Sequence, residues 1–146
     1  MIAFSLVMGH LIGDFLFQND RQARSKNSGI IPEDEDWLLS AIFRTVENGG
    51  EKWSDFVCFI HVVLYMVGMT LCCFWFMPWW GYLWIAATHY CIDRYKLARR
   101  YMHLAGQDVF ATGALSPWSI VVVDQVFHLL VLWIVGISLH FQWWEY

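Results

Sequence analysis

Charge is scarce in this chain. Of its 146 residues 15 % are Asp, Glu, Lys or Arg, against 58 % hydrophobic and 18 % aromatic. That balance excludes a disordered segment, and a net charge of −4 excludes the basic footprint of a nucleic-acid binder. No linker divides the chain into two cores, so its length makes one domain. The four cysteines, Cys58, Cys72, Cys73 and Cys91, form no C-x-x-C and lie in apolar stretches. They read as small buried hydrophobes rather than a disulfide framework. The N-terminus has neither a basic leader nor a small-residue cleavage site, and His10 and Asp14 stand where a signal core is purely apolar. It is expected to be a retained membrane helix.

The ionisable residues that do occur inside apolar stretches repeat one spacing: His10-x3-Asp14, His89-x3-Asp93 and Asp124-x3-His128, with His61 alone in another stretch. Residues four apart on a helix sit one turn above each other, so each pair points an imidazole and a carboxylate the same way. In hydrocarbon each such side chain costs at least ~2.5–3.5 kcal/mol, and such residues face the bundle interior and each other. A shared divalent metal is the simplest partner for seven of them. Imidazole and carboxylate donors without thiolate suit zinc, with iron or manganese as alternatives. The donors outnumber the needs of one tetrahedral ion, which leaves room for one or two ions or for carboxylates that orient the ligating imidazoles.

Periodicity and punctuation predict an all-α, integral membrane four-helix bundle. Its spans are about 1–18, 55–77, 79–101 and 117–140, with polar segments 19–54 and 102–116. Ser54 and Asp55 are expected to cap the second span, and Ser116-Pro117 to cap the fourth with proline at its first helical position. The acid run Glu33-Asp34-Glu35-Asp36 opens a short amphipathic helix (Leu38, Leu39, Ile42, Val46), closed by Asn48-Gly49-Gly50. It would lie on the membrane surface in the first loop, or pack on the bundle as a solvated helix. All nine Lys and Arg residues fall in or beside 19–55 and 94–116, so these segments are expected on the cytoplasmic side and both termini outside. Trp79, Trp80, Tyr82, Trp143, Trp144 and Tyr146 fall at the opposite interface as an aromatic belt. At ~1.5 Å per residue the seven ionisable residues then share one layer, roughly 6–16 Å below the cytoplasmic face. His103 and His140 lie far from it.

The strings His10-Leu-Ile-Gly-Asp-Phe-Leu-Phe-Gln18, His89-x3-Asp93-x2-Lys96 and Asp124-Gln-Val-Phe-His128 resemble a family of small bacterial and phage membrane proteins, domain of unknown function 3307. The likeness runs along nearly all the chain. The layout is similar to that of inner-membrane proteins read as metal-dependent hydrolases, so the resemblance implies a site without naming a substrate. The expectation is a metal-dependent hydrolase of the bacterial inner membrane acting on a lipid-linked or anionic, membrane-delivered substrate. His10, Asp14, His61, His89, Asp93, Asp124 and His128 are the candidate ligands. Asp14 or Asp124 would serve as general base to water activated by the ion, with Lys96, Arg94, Arg99 and Arg100 receiving an anionic lipid or lipid-linked phosphate. Gln18 and Gln125 flank the stripes as donors or acceptors. The rival readings are a proton or metal-ion transporter or channel, and a non-catalytic phage-type membrane effector with a structural metal. The lipid bilayer is the expected partner, and self-association is left open.

Overall fold

The computed structural model describes residues 1–16 and 50–142, and every regular element in them is helical. Helix α1 (Ile2–Leu11) continues into a π-helical turn (Ile12–Leu16). Then come α2 (Gly50–Cys73), α3 (Trp79–Arg94), α4 (Leu97–Leu104), α5 (Asp108–Thr112) and α6 (Trp118–Gln142). The four longer elements pack in a ring in which α1 touches α2, α2 touches α3, α3 touches α6 and α6 returns to α1. The expected surface helix before Gly49, Gln18, and the aromatic residues Trp143, Trp144 and Tyr146 lie outside the described residues.

Each helix buries one stripe at the helical repeat. On α1 and its π turn this is Leu6, Gly9, His10, Gly13 and Asp14, and on α3 it is Gly81, Ile85, His89, Ile92 and Asp93. The interior has two layers. One is apolar, built from Leu6, Met69, Cys73, Met77, Ile85, Leu132, Val135 and Leu139. The other is polar and holds Asp14, His61, His89, Asp93 and His128, each at most 5 % exposed. Outside, the pattern inverts: Phe4, Leu16, Phe59, Leu71, Trp75, Leu83, Trp84 and Trp133 are all exposed.

Helices α1 and α2 touch backbone to backbone. A Cβ on Gly13 would lie 2.8 Å from the Tyr65 carbonyl oxygen, and one on Gly68 would lie 2.8 Å from the Gly13 nitrogen. Real Cβ contacts are essentially never shorter than 3.0 Å. Only glycine permits this approach, which brings Asp14 against the face of α2 that carries His61 and Tyr65.

The structure moves several expected boundaries. The third helix stops at Arg94 instead of running to about 101, because Tyr95 and Lys96 form a turn with Lys96 in the left-handed region at φ 51°. A non-glycine residue there is strained by roughly 1–3 kcal/mol, so the surroundings must hold it. Just before it, the guanidinium of Arg94 donates back to Asp55 on α2. Asp55 therefore lies inside α2 as a partner of Arg94 rather than capping the helix. The polar segment 102–116 contains the end of α4 and all of α5. Helix α4 is amphipathic, burying Ala98 and Met102 while Arg99, Arg100 and His103 are exposed. Pro117 precedes the last helix, which begins at Trp118. All four cysteines are free; Cys58 and Cys73 are buried, but Cys91 is exposed on the outside of α3.

One helix among the described residues is long and apolar enough to cross a membrane. It spans Trp118–Phe141, with mean hydropathy 2.3 and only 17 % of its apolar window buried. Ile2–Leu16 and Val57–Cys73 are apolar but shorter. Four spans are thus not established by helix length; at ~1.5 Å per residue, the 16 residues of α3 reach only ~24 Å of a ~30 Å core.

Candidate metal centre

Four side chains from three elements meet at the polar layer. Asp14 comes from the π turn, His61 from α2, and His89 with Asp93 from successive turns of α3. His61 Nε2 lies 3.1 Å from Asp14 Oδ1, 3.1 Å from His89 Nε2 and 3.3 Å from Asp93 Oδ2. His89 Nε2 is 3.4 Å from Asp93 Oδ2 and 3.8 Å from Asp14 Oδ1. These are five of the six edges of a tetrahedron of donor atoms. Two ligands at ~2.0–2.1 Å from a zinc-sized ion at the tetrahedral angle stand ~3.3–3.4 Å apart, in the middle of the observed range. Hydrogen bonding alone accounts poorly for it. One Nε2–H can donate to one acceptor well, yet His61 Nε2 faces two carboxylates and a second imidazole nitrogen at comparable distance. The four residues can hold a divalent metal ion.

A second group adjoins the first. His128 Nε2 lies 3.5 Å from Asp93 Oδ1 and 3.5 Å from Asp124 Oδ2, and the three residues form a separate candidate cluster. Asp93 belongs to both groups, with Oδ2 towards the first and Oδ1 towards the second.

His10 differs from the expected ligand. Its Nε2 is 2.8 Å from Gln125 Oε1 and its Nδ1 is 3.2 Å from the Tyr65 hydroxyl. The Gln125 amide donates through Nε2 to Asp14 Oδ2 at 2.7 Å. An ionised carboxylate only accepts, which turns the amide so that its oxygen faces His10. His10 must then donate from Nε2 and accept from Tyr65 at Nδ1. The result is a directed chain, Tyr65 to His10 to Gln125 to Asp14, that ends on the Asp14 oxygen facing away from His61. Both nitrogens of His10 are engaged and it is not in the candidate set; its hydrogen-bond chain ends on Asp14, which it positions.

Tyr65, one turn beyond His61 on α2, is a site residue that the spacing of ionisable pairs does not single out. It stacks on the His89 ring (centroids 3.8 Å apart, 21° between planes) as well as anchoring His10. Its signal was the shared helix face. Lys96 is exposed on the turn after α3 and stands outside the buried group. His103 pairs with Asp108 at the surface, 2.8 Å apart, and His140 is exposed at the far end of α6.

This arrangement can be set beside known proteins. Residues 47–145, about two-thirds of the chain, match the family described as Protein of unknown function (DUF3307). The chain belongs to the DUF3307 family. No curated protein and no solved structure matches it. The DUF3307 segment carries His61, His89, Asp93, Asp124 and His128, whereas His10 and Asp14 precede it. The family match is therefore shorter than the near-complete likeness expected, and it leaves out residues 1–46, α1 and the π turn among them.

Proposed function

We propose that this DUF3307 protein is a membrane-embedded metal-binding protein, with zinc the best-fitting ion, and that it acts as a metal-dependent hydrolase on a lipid-linked or anionic substrate. The observation that carries the metal reading is the near-tetrahedral set of Asp14, His61, His89 and Asp93, five of whose six donor separations are 3.1–3.8 Å, in a buried layer. A divalent ion held there would supply Lewis acidity and make water a nucleophile near neutral pH. The chain's own part is to fix the donors: Gln125 and His10 orient Asp14, and Tyr65 stacking orients His89. Asp124, at 24 % exposure, is where the cluster opens outward and is the acceptor best placed for a proton from an incoming water.

Membrane embedding rests on the inverted pattern. Ionisable groups are inside and large apolar side chains outside, the opposite of a protein surrounded by water. Among the described residues, helix α6 alone has the length and hydropathy of a span; α1, α2 and α3 would complete the bundle by sharing its polar interior. Arg94, Lys96, Arg99 and Arg100 then mark the cytoplasmic end of a bacterial inner-membrane protein with both termini outside. They would attract an anionic headgroup to that end of the bundle, where Asp124 is part-exposed.

One observation favours a second reading. Four protein donors already complete a tetrahedral sphere, as structural zinc sites do, whereas catalytic sites keep a position open. In that case the metal cross-links the helices of a non-catalytic membrane effector. Detergent-purified protein loaded with zinc, assayed on anionic phospholipids and lipid-linked phosphates in liposomes, separates the two. Stoichiometric metal with turnover abolished by Asp124→Asn supports the hydrolase. Stoichiometric metal with no turnover leaves the structural role, and absence of bound metal ends both.

A further inference from the structure

We infer that Asp93, Asp124 and His128 form a second divalent-cation position, joined to the first through the two oxygens of Asp93, and that this second position is the exchangeable one. The inference rests on the metal reading of the first site and deepens it.

Three features carry it. His128 Nε2 is buried, has no hydrogen-bond partner, and points between two carboxylates. A protonated imidazole would close on one of them to ~2.7–2.9 Å, the length of a charge-assisted hydrogen bond. Both distances instead stand at 3.5 Å, matching two donors about one ion at ~2.1 Å and close to the tetrahedral angle. The second feature is the use of Asp93. Its Oδ2 serves His61 and His89 while its Oδ1 serves His128, so the carboxylate lies between the two donor sets as a bridging ligand does. Carboxylate-bridged pairs of this kind hold ions ~3.5–4 Å apart and act on phosphoryl and acyl oxygens.

The third feature is the contrast in donor number and access. The first position has four protein donors, and all four residues are buried. The second has three, and the Asp124 side chain is 24 % exposed. Three donors leave coordination room for water or for an oxygen of a phosphate-like substrate. Exposure gives that ion a route in and out that the first lacks. Substrate chemistry at the second position, and structural holding at the first, would reconcile a closed tetrahedral set with a catalytic role.

The test is metal stoichiometry on the full chain, stripped with chelator and titrated with Zn²⁺ or Mn²⁺. Two ions per chain are expected, one slow and one fast to leave on renewed chelation. Asp124→Asn and His128→Gln should each retain only the slow ion, while Asp93→Ala should lose both. With Mn²⁺, the wild type should show the exchange-coupled spin signal of a pair, and Asp124→Asn that of an isolated ion. One ion per chain in the wild type, unchanged by Asp124→Asn, would overturn the second position and leave the first intact. Absence of any ion would instead remove the first site as well. Should His128→Gln fail to fold, the wild-type stoichiometry and Asp124→Asn, at a part-exposed position, still decide.

Discussion

His10 and His61 are both fully buried imidazoles of the same polar layer, yet their partners give them different chemistry. His61 presents Nε2 to three donors at 3.1–3.3 Å, whereas His10 spends both nitrogens on Tyr65 and Gln125. Substituting them should therefore separate two kinds of loss. His61→Ala removes a corner of the tetrahedron and should abolish stoichiometric metal. His10→Ala removes only orientation of Asp14 and should weaken affinity by about 10–100-fold, the usual cost of deleting an outer partner of a ligand, with full occupancy recovered at high metal. Equilibrium titration of the two variants measures both. Equal loss in the two would return His10 to the ligand set.

At the level of the helix pair, Asp14 owes its position to the glycine contact between α1 and α2. Gly13→Ala would put a methyl 2.7 Å from the Tyr65 ring and 2.8 Å from its carbonyl oxygen, against backbone that cannot give way. Overpacking of this sort costs about 1–3 kcal/mol, and here it should also push Asp14 away from His61. Gly136→Ala, also in the bundle, would meet only a Leu6 methyl at 3.3 Å, the movable end of a side chain, and should be tolerated. A thermal melt with and without zinc compares them. Gly13→Ala should lose both stability and most of the zinc-dependent rise, and Gly136→Ala neither.

Across the whole molecule, metal and membrane make separate predictions. An ion that binds only the folded bundle stabilises it by mass action, by about 2.7 kcal/mol at a concentration one hundred times Kd. Chelation should therefore lower the melting temperature of the wild type and leave that of Asp93→Ala nearly unmoved. The membrane reading requires that the two ends of the bundle face different compartments. In a cysteine-free background, His103→Cys should be shielded from an impermeant thiol reagent applied to intact cells, and His140→Cys should react. Both positions are exposed and at opposite ends, so burial does not confound the comparison. Labelling of His103→Cys from outside would reverse the orientation, and labelling of neither in a chain recovered from the soluble fraction would end the membrane reading.

Sequence spacing by itself determined the helical class and the azimuth of each polar stripe. An offset of four along a helix puts two side chains on one face whatever surrounds it, and a polar stripe on an apolar helix has to turn inward. That much placed Asp14, His61, His89, Asp93, Asp124 and His128 among the residues that would face one another. It could not rank them. Whether an imidazole is a ligand or supports one depends on contacts between helices, and the partners of His10 lie 55 and 115 residues away along the chain. The same limit hid the end of α3. Nothing local in Asp93-Arg94-Tyr95-Lys96 breaks a helix, and the stop goes with a tie from Arg94 to Asp55, 39 residues earlier. Asp93 was legible as half of an i, i+4 pair with His89. Only the packing of α6 against α3 added His128 to its other oxygen and made one carboxylate common to two sets of donors, because a shared ligand is a property of distances between helices rather than of spacing within one.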